Sequence, residues 1–250
     1  MSWVWAAARC TGTSHFRENS PCQDAVRCIA VGPDKETLVA IVSDGAGSAL
    51  YGGSGSALVA RAFSECARDH FKSSSQPPSD DDVWNWIDLI RDRLARAAAF
   101  RTADRRQFAA TLVAAIIAPN EAMFVHIGDG AAVCRVGEDW NAPSWPSHGE
   151  YASTTYFVTD EPAPQVKITR VNVRVDAVAV FSDGLERLAL QFSTRTPHAP
   201  FFNNNFKLIW ASQHQGLDVK LSEALASYLG STAINERTDD DKSLILAARK

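Results

Sequence analysis

Val39-Ala40-Ile41-Val42-Ser43-Asp44-Gly45 reads as a buried strand that runs into a small residue and then an Asp-Gly pair. The same pattern returns at 124–130 (FVHIGDG) and again at 178–184 (VAVFSDG). A carboxylate at the end of a buried strand is held firmly and still reaches solvent, and the glycine after it lets the backbone turn and lets another group come close. One Asp-Gly after a strand is an ordinary turn signal. Three copies, each behind a strongly apolar strand, point to Asp44, Asp129 and Asp183 as a set. A fourth acidic group, Asp239-Asp240-Asp241, stands just before the apolar run 243–248 (SLILAA). Carboxylates gathered at one end of a sheet repel one another unless cations sit among them. Their hard oxygens suit magnesium or manganese, and two such ions are a device for hydrolysing phosphate esters.

Working outward, 25–31 (AVRCIAV) and 37–43 (TLVAIVS) flank the turn Gly32-Pro33-Asp34 and predict a hairpin. A loop of small residues follows Asp44, then a helix from about 56 to 72. Gly52-Gly53-Ser54-Gly55 is read as a helix entry, since no Gly-Lys-Ser/Thr follows to make a phosphate loop. After the linker 73–79, Ser79 or Asp80 caps a second helix. Asp81 and Asp82 suit the positive end of its dipole, and Val83, Ile87, Ile90, Leu94 and Ala97 form its apolar face. Strands are expected at 110–118, 121–127 and 131–136, and a further pair at 166–175 and 177–182. The stretch 193–216 reads as irregular, and its PHAPFFNNNF segment as a surface loop or a flap facing substrate. Trp140 and Trp145 are placed in a loop. A last helix spans 218–229 and stops at Gly230. Strands, two helices, strands, then a helix and a strand do not make a doubly wound parallel sheet. They fit an α+β fold of mainly antiparallel sheets with helices outside.

Composition narrows the function. The chain has 250 residues, 46% of them hydrophobic and 22% charged, and is expected to form a single domain over 1–250. A net charge of -4 with no basic patch argues against nucleic acid as a partner. No apolar run is long enough to span a membrane, and the first residues lack the basic start of a secretory signal. Cys10, Cys22, Cys28, Cys66 and Cys134 are odd in number and scattered, as expected of reduced thiols in a cytoplasmic protein.

In sequence order, Gln23-Asp24, Ser43-Asp44-Gly45-Ala46-Gly47-Ser48, Ala110-Thr111-Leu112, Ile127-Gly128-Asp129-Gly130, Phe181-Ser182-Asp183-Gly184 and Asp240-Asp241-Lys242-Ser243 resemble the motifs of the protein phosphatase 2C family, in particular its compact bacterial members. The resemblance runs from Gly12 to Lys250. It implies a four-layer α/β/β/α sandwich, and a serine/threonine protein phosphatase that attacks phosphorus directly with a hydroxide bridging two Mn2+ or Mg2+ ions. Carried over by position, Asp44 bridges both ions, the Gly45 carbonyl binds one, Asp183 and Asp240 complete the other, and Asp129 helps hold a weaker third. Thr111 is structural. Gln23, a candidate metal ligand through its side-chain carbonyl, falls where relatives usually carry a metal-binding Glu, Asn19 near a phosphate-gripping Arg, and Ala46 where animal members have a His. His15 or Arg17 is then the expected phosphate-binding group. The expected partner is a phosphoprotein substrate of a cognate kinase, and the protein is expected to be a monomer. Two alternatives share these residues: a phosphoprotein-binding pseudophosphatase, favoured by Gln23, and a hydrolase of small phosphoesters.

Overall fold

The structure is a computed structural model, and it describes residues 2–147 and 155–250. In chain order the strands are β1 (Trp3–Cys10), β2 (Ala25–Val31), β3 (Thr37–Ser43), β4 (Leu112–Ile117), β5 (Ala122–Ile127), β6 (Ala131–Val136), β7 (Asp139–Ser144), β8 (Lys167–Val171), β9 (Ala177–Phe181), β10 (Leu190–Gln191), β11 (Thr196–Pro197), β12 (Gly216–Leu217) and β13 (Lys242–Arg249). The helices are α1 (Thr13–Arg17), α2 (Gly52–His70), α3 (Asp80–Phe100), α4 (Glu186–Ala189), α5 (Ala199–Ala211), α6 (Val219–Leu229) and α7 (Thr232–Asn235).

Two sheets carry the fold. One has the order β2-β3-β4-β5-β8, the other β12-β1-β13-β9-β6-β7; β10 and β11 form a separate ribbon. Every pair in the two large sheets is antiparallel except β1 with β12. The central strands are buried on both faces, so they read as continuous apolar runs, yet their side chains still sort with period two. Val39 and Ile41 of β3, with Leu112, Ala114 and Ile116 of β4, face α2 and α3. Leu38, Ala40 and Val42, with Val113, Ala115 and Ile117, face the opposite sheet. Across that interface Val178, Val180, Ile245 and Ala247 meet them. Phe181, Leu244 and Leu246 turn outward to Phe202, Phe206 and Leu225 of α5 and α6. The layers are therefore helix, sheet, sheet, helix, as the resemblance implies.

The β2–β3 hairpin is as expected, from Ala25↔Ser43 to Val31↔Thr37. Ser79 caps α3 in a reciprocal capping box with Asp82, which confirms the acidic run 80–82 as a helix start. The glycine cluster 52–55 opens α2. Three expectations are corrected. The two runs read as a strand pair, 166–175 and 177–182, become β8 and β9, which lie in different sheets: β8 joins β5, while β9 lies between β13 and β6. The irregular stretch 193–216 contains the helix α5. Its Pro200 falls in the first turn, where proline costs no hydrogen bond, and Phe201, Phe202, Phe206 and Ile209 are buried. Trp140 lies on β7, not in a loop, and its ring packs 5.1 Å from Phe202 and 4.9 Å from Phe206.

Candidate active site

Strand direction brings the acids together. β3 and β5 both run antiparallel to β4, so they end at the same edge of their sheet, with Asp44 just past β3 and Asp129 two residues past β5. In the other sheet β13 runs antiparallel to β9, so the start of one lies at the end of the other. Asp240 thus comes beside Asp183. Asp44, Asp129, Asp183 and Asp240 line one pocket of about 210 Å³, together with His15, Gly45 and Thr111.

Hydrogen bonds fix the backbone of Asp44 and the side chain of Asp129. Thr111 Oγ1 accepts from the Asp44 N–H at 2.9 Å, the Thr111 N–H donates to the Asp44 carbonyl at 2.8 Å, and Ser43 Oγ donates to the Thr111 carbonyl at 2.6 Å. Thr111 is therefore structural in the expected sense, fixing the backbone that carries Asp44. Thr155 Oγ1 donates to Asp129 Oδ2. Gly184 packs so tightly on the 239–241 segment that a Cβ there would overlap the Asp241 carbonyl oxygen.

Two acids in this region were not singled out from sequence. Asp24, at the foot of β2, is fully buried; its Oδ2 accepts from Ser182 Oγ at 2.9 Å. Its position directly after Gln23 in a recognised motif was the available signal. Asp241, 1% exposed, accepts from the Gly12 N–H at 2.7 Å and the Gln23 N–H at 2.6 Å, and its Oδ1 lies 2.9 Å from His15 Nδ1.

Burial and mutual repulsion raise these carboxyl groups. Burial, then the charges of Asp24 and Asp183, lifts Asp44 well above the ordinary range. Burial, then Asp129 and Asp240, does the same to Asp183. Burial pushes Asp24 up to about 6, and Asp240 is raised by burial and by Asp241. Burial alone would lower the pKa of His15, but the Asp241 carboxylate 2.9 Å away and the nearby acids outweigh this and raise it. His126, buried beneath the site, is pulled down to about 4 by burial. Its Nε2 faces the Gly128 carbonyl at 2.7 Å and Ser144 Oγ lies 2.9 Å from Nδ1, a structural arrangement.

The donor set suits a divalent cation. Its side chains are hard oxygens, Asp183 Oδ1 is buried and meets no hydrogen-bond donor, and His15 is the one lining residue able to carry positive charge among those described. Among the described residues no three acidic, imidazole or thiol groups already close on a single point; the carboxylates stand around the pocket. Gln23 stands one layer back. Oriented as its neighbours require, its amide nitrogen donates to the Gly45 and Ala46 carbonyls at 3.0 and 3.1 Å. Arg17 is exposed at the end of α1 and is not on the pocket wall.

A charge swap at Gln23 tests that placement. Gln23→Glu removes two donors and sets a carboxylate against two carbonyls, so the metal-free protein should lose about 1–3 kcal/mol of stability. Divalent cation should reverse the loss, because the added charge then has a partner. The half-saturating metal concentration should fall while saturated turnover stays unchanged. Calorimetric and activity titrations identical to wild type, with unchanged metal-free stability, would place Gln23 out of reach of the cations.

The model of the family described as protein phosphatase 2C matches residues 11–229. Serine/threonine-protein phosphatase 3 of Escherichia coli K12 is 38% identical over 250 residues, covering 99% of this chain and 98% of that protein. Solved structures share the fold at low identity. PppA, described as a key regulatory component of T6SS in Pseudomonas aeruginosa, superposes with a TM-score of 0.68 at 16% identity, over 99% of this chain and 98% of the other. The catalytic domain of the serine/threonine protein phosphatase PstP, in complex with two manganese ions, superposes with a TM-score of 0.65 at 17% identity, over 99% and 98%. With this edge of carboxylates between two antiparallel sheets, the chain belongs to the protein phosphatase 2C family of metal-dependent serine/threonine protein phosphatases.

Proposed function

We propose that the acidic pocket hydrolyses phosphoserine and phosphothreonine on protein substrates, with Asp44, Asp183 and Asp240 holding two divalent cations. The Gly45 carbonyl adds a ligand, Asp129 serves a weaker third ion, and Gln23 acts on the metals through the Gly45 carbonyl. The observation behind this reading is the convergence of four carboxylates from two sheets on one pocket with a single basic residue in its wall. Manganese or magnesium fits an all-oxygen donor set. When bound, such cations make water nucleophilic at neutral pH and neutralise charge on the phosphoryl oxygens.

The chain's own residues do the rest. Thr111 fixes where Asp44 stands. Asp24, tied to Ser182, backs Asp44 and adds negative charge to the cation site. His15, the basic residue of the pocket wall, is the phosphate-binding residue of choice; Arg17 meets substrate only outside the pocket. The whole chain acts as one domain and as a monomer, in the cytoplasm of a bacterial cell, on phosphoproteins made by a cognate signalling kinase. The net charge of -4 and the acidic lining of the pocket argue against nucleic acid as a partner. No helix among the described residues is long and apolar enough to cross a membrane. Turnover of a phosphothreonine peptide and of a nucleoside monophosphate, measured side by side with saturating manganese, tests the substrate class. The peptide should be preferred by at least tenfold in kcat/KM; preference for the nucleotide would favour a small-phosphoester hydrolase, and binding of the peptide without turnover a pseudophosphatase.

A further inference from the structure

We propose that the groove along the open edge of β2 docks an extended segment of the phosphoprotein substrate, one that alternates apolar and acidic side chains and adds to the sheet as a further strand. This docking deepens the phosphatase reading and rests on it.

Among the described residues β2 pairs with β3 alone and forms the edge of its sheet. An edge strand carries backbone donors and acceptors that a further strand can take up. The neighbouring edge of the other sheet is covered: β12 pairs with Val4 and Trp5, and the Ala7 N–H donates to Ser222 Oγ of α6 at 3.2 Å. Between β2 and that covered edge run two hollows of about 550 and 460 Å³, which share Trp5, Cys28 and Ile29 and so form one groove. It reaches from Lys35, between β2 and β3, to Val26. Ala25 pairs with Ser43, just before Asp44, so the groove leads along β2 towards the edge that carries the acidic pocket.

The two sides of the groove differ. Val26, Cys28 and Ala30 pack towards the core between the sheets, and Trp5, Leu217 and Val219 wall the groove there. Leu217 and Val219 are 48% and 57% exposed, so this wall is apolar surface open to solvent. Ile29 packs on the helix side, and Arg27 shares that side by the two-residue period of a strand. Arg68 of α2 and Lys35 also line the groove. Arg27, Lys35 and Arg68 are exposed, and none of them is in an ion pair among the described residues. The acids of the lining are Asp34, next to Lys35, and Glu223, on α6. Bases thus outnumber acids along one groove of a chain whose net charge is -4. A strand laid against β2 turns alternate side chains to the two sides. Apolar side chains then cover Trp5, Leu217 and Val219, and acidic ones meet Arg27 and Arg68.

The probes are an octapeptide of alternating Val and Glu and its counterpart of alternating Val and Lys. By calorimetry the Val-Glu peptide should bind saturably and the Val-Lys peptide should not. Joined to a phosphothreonine peptide by a Gly-Ser linker of about 20 residues, which spans about 25 Å, the Val-Glu stretch should lower KM about tenfold with kcat unchanged. Leu217→Asp and the double variant Arg27→Glu, Arg68→Glu should each lose the binding and that gain, with turnover of the unjoined phosphothreonine peptide as in wild type. No saturable binding of the Val-Glu peptide up to about 1 mM, equal binding of the two octapeptides, or a gain in KM that survives both changes would overturn the docking. So would a wild-type dimer that Leu217→Asp dissociates in sedimentation, which would give the groove to a second copy of the chain. Each of these results leaves the phosphatase reading standing, whereas absence of turnover of the unjoined peptide by the wild-type protein would remove that reading and the substrate role of the groove with it.

Discussion

Asp44→Asn should lower kcat on a phosphothreonine peptide by on the order of 10³-fold or more, about 4 kcal/mol of transition-state stabilisation, and at the same time raise the melting temperature in excess chelator. The two effects share one cause. Asp44 is half-buried beside Asp24, Asp183 and Asp240, and burial, then the charges of Asp24 and Asp183, raises its pKa well above the usual value. Without cations an ionised Asp44 costs stability, and an amide of the same shape removes that repulsion while keeping the packing. Relief of about 1–2 kcal/mol corresponds to roughly 2–8 °C in a domain of this size. With cations, the lost charge is one of those that would hold the metal ions, so catalysis suffers most. Thr111 bonds the Asp44 backbone, not its carboxylate, so the strand end should hold in the variant. Near-normal turnover in purified, folded Asp44→Asn would remove the metal-holding role. Lower stability in chelator would show that Asp44 serves the core more than the metals.

Gly184→Ala should be the most damaging conservative change near the site. The new methyl would overlap the Asp241 carbonyl oxygen, and Lys242 Cγ lies 3.3 Å from the same point. The obstacle is backbone, so relief requires moving the 239–241 segment, the 183–185 turn, or both. Overpacking of this kind typically costs about 1–3 kcal/mol. The functional cost should be larger, because the displaced segments carry Asp240 and Asp183. A misplacement of about 1 Å in a catalytic group can cost on the order of 10²-fold. A denaturation curve and a kcat measurement at saturating manganese should show both losses; wild-type values in both would mean that the close approach of these segments does not set the site.

Much of this arrangement was legible in the sequence because both faces of the central strands are buried. β3, β4, β5 and β9 read as short apolar runs, and the Asp-Gly ends of β3, β5 and β9 stand out against them. The apolar face of α3 and its capping box were equally clear, since both depend on residues a few positions apart. Local patterns were silent where long-range packing decided the outcome. The runs that became β8 and β9 look alike, and nothing in their own residues says that the chain crosses from one sheet to the other between 171 and 177. In α5, the three asparagines and Pro200 weaken the helical signal, while the phenylalanines that stabilise the helix do so against β9 and β7. The carboxylate set was found through its repeats, yet Asp24 and Asp241 were passed over. Asp241 sits in an acidic run that hides which member is buried, and its contact with His15 joins residues at opposite ends of the chain. Gln23 was recognised by position, but only the fold shows its amide directed at the Gly45 and Ala46 carbonyls.

The most direct measurement is a manganese titration of phosphothreonine-peptide hydrolysis, starting from protein stripped with chelator. The stripped protein should be folded and without turnover, and activity should rise to saturation as manganese is added, with magnesium substituting. Full turnover in excess chelator would contradict a phosphatase built on Asp44, Asp183 and Asp240.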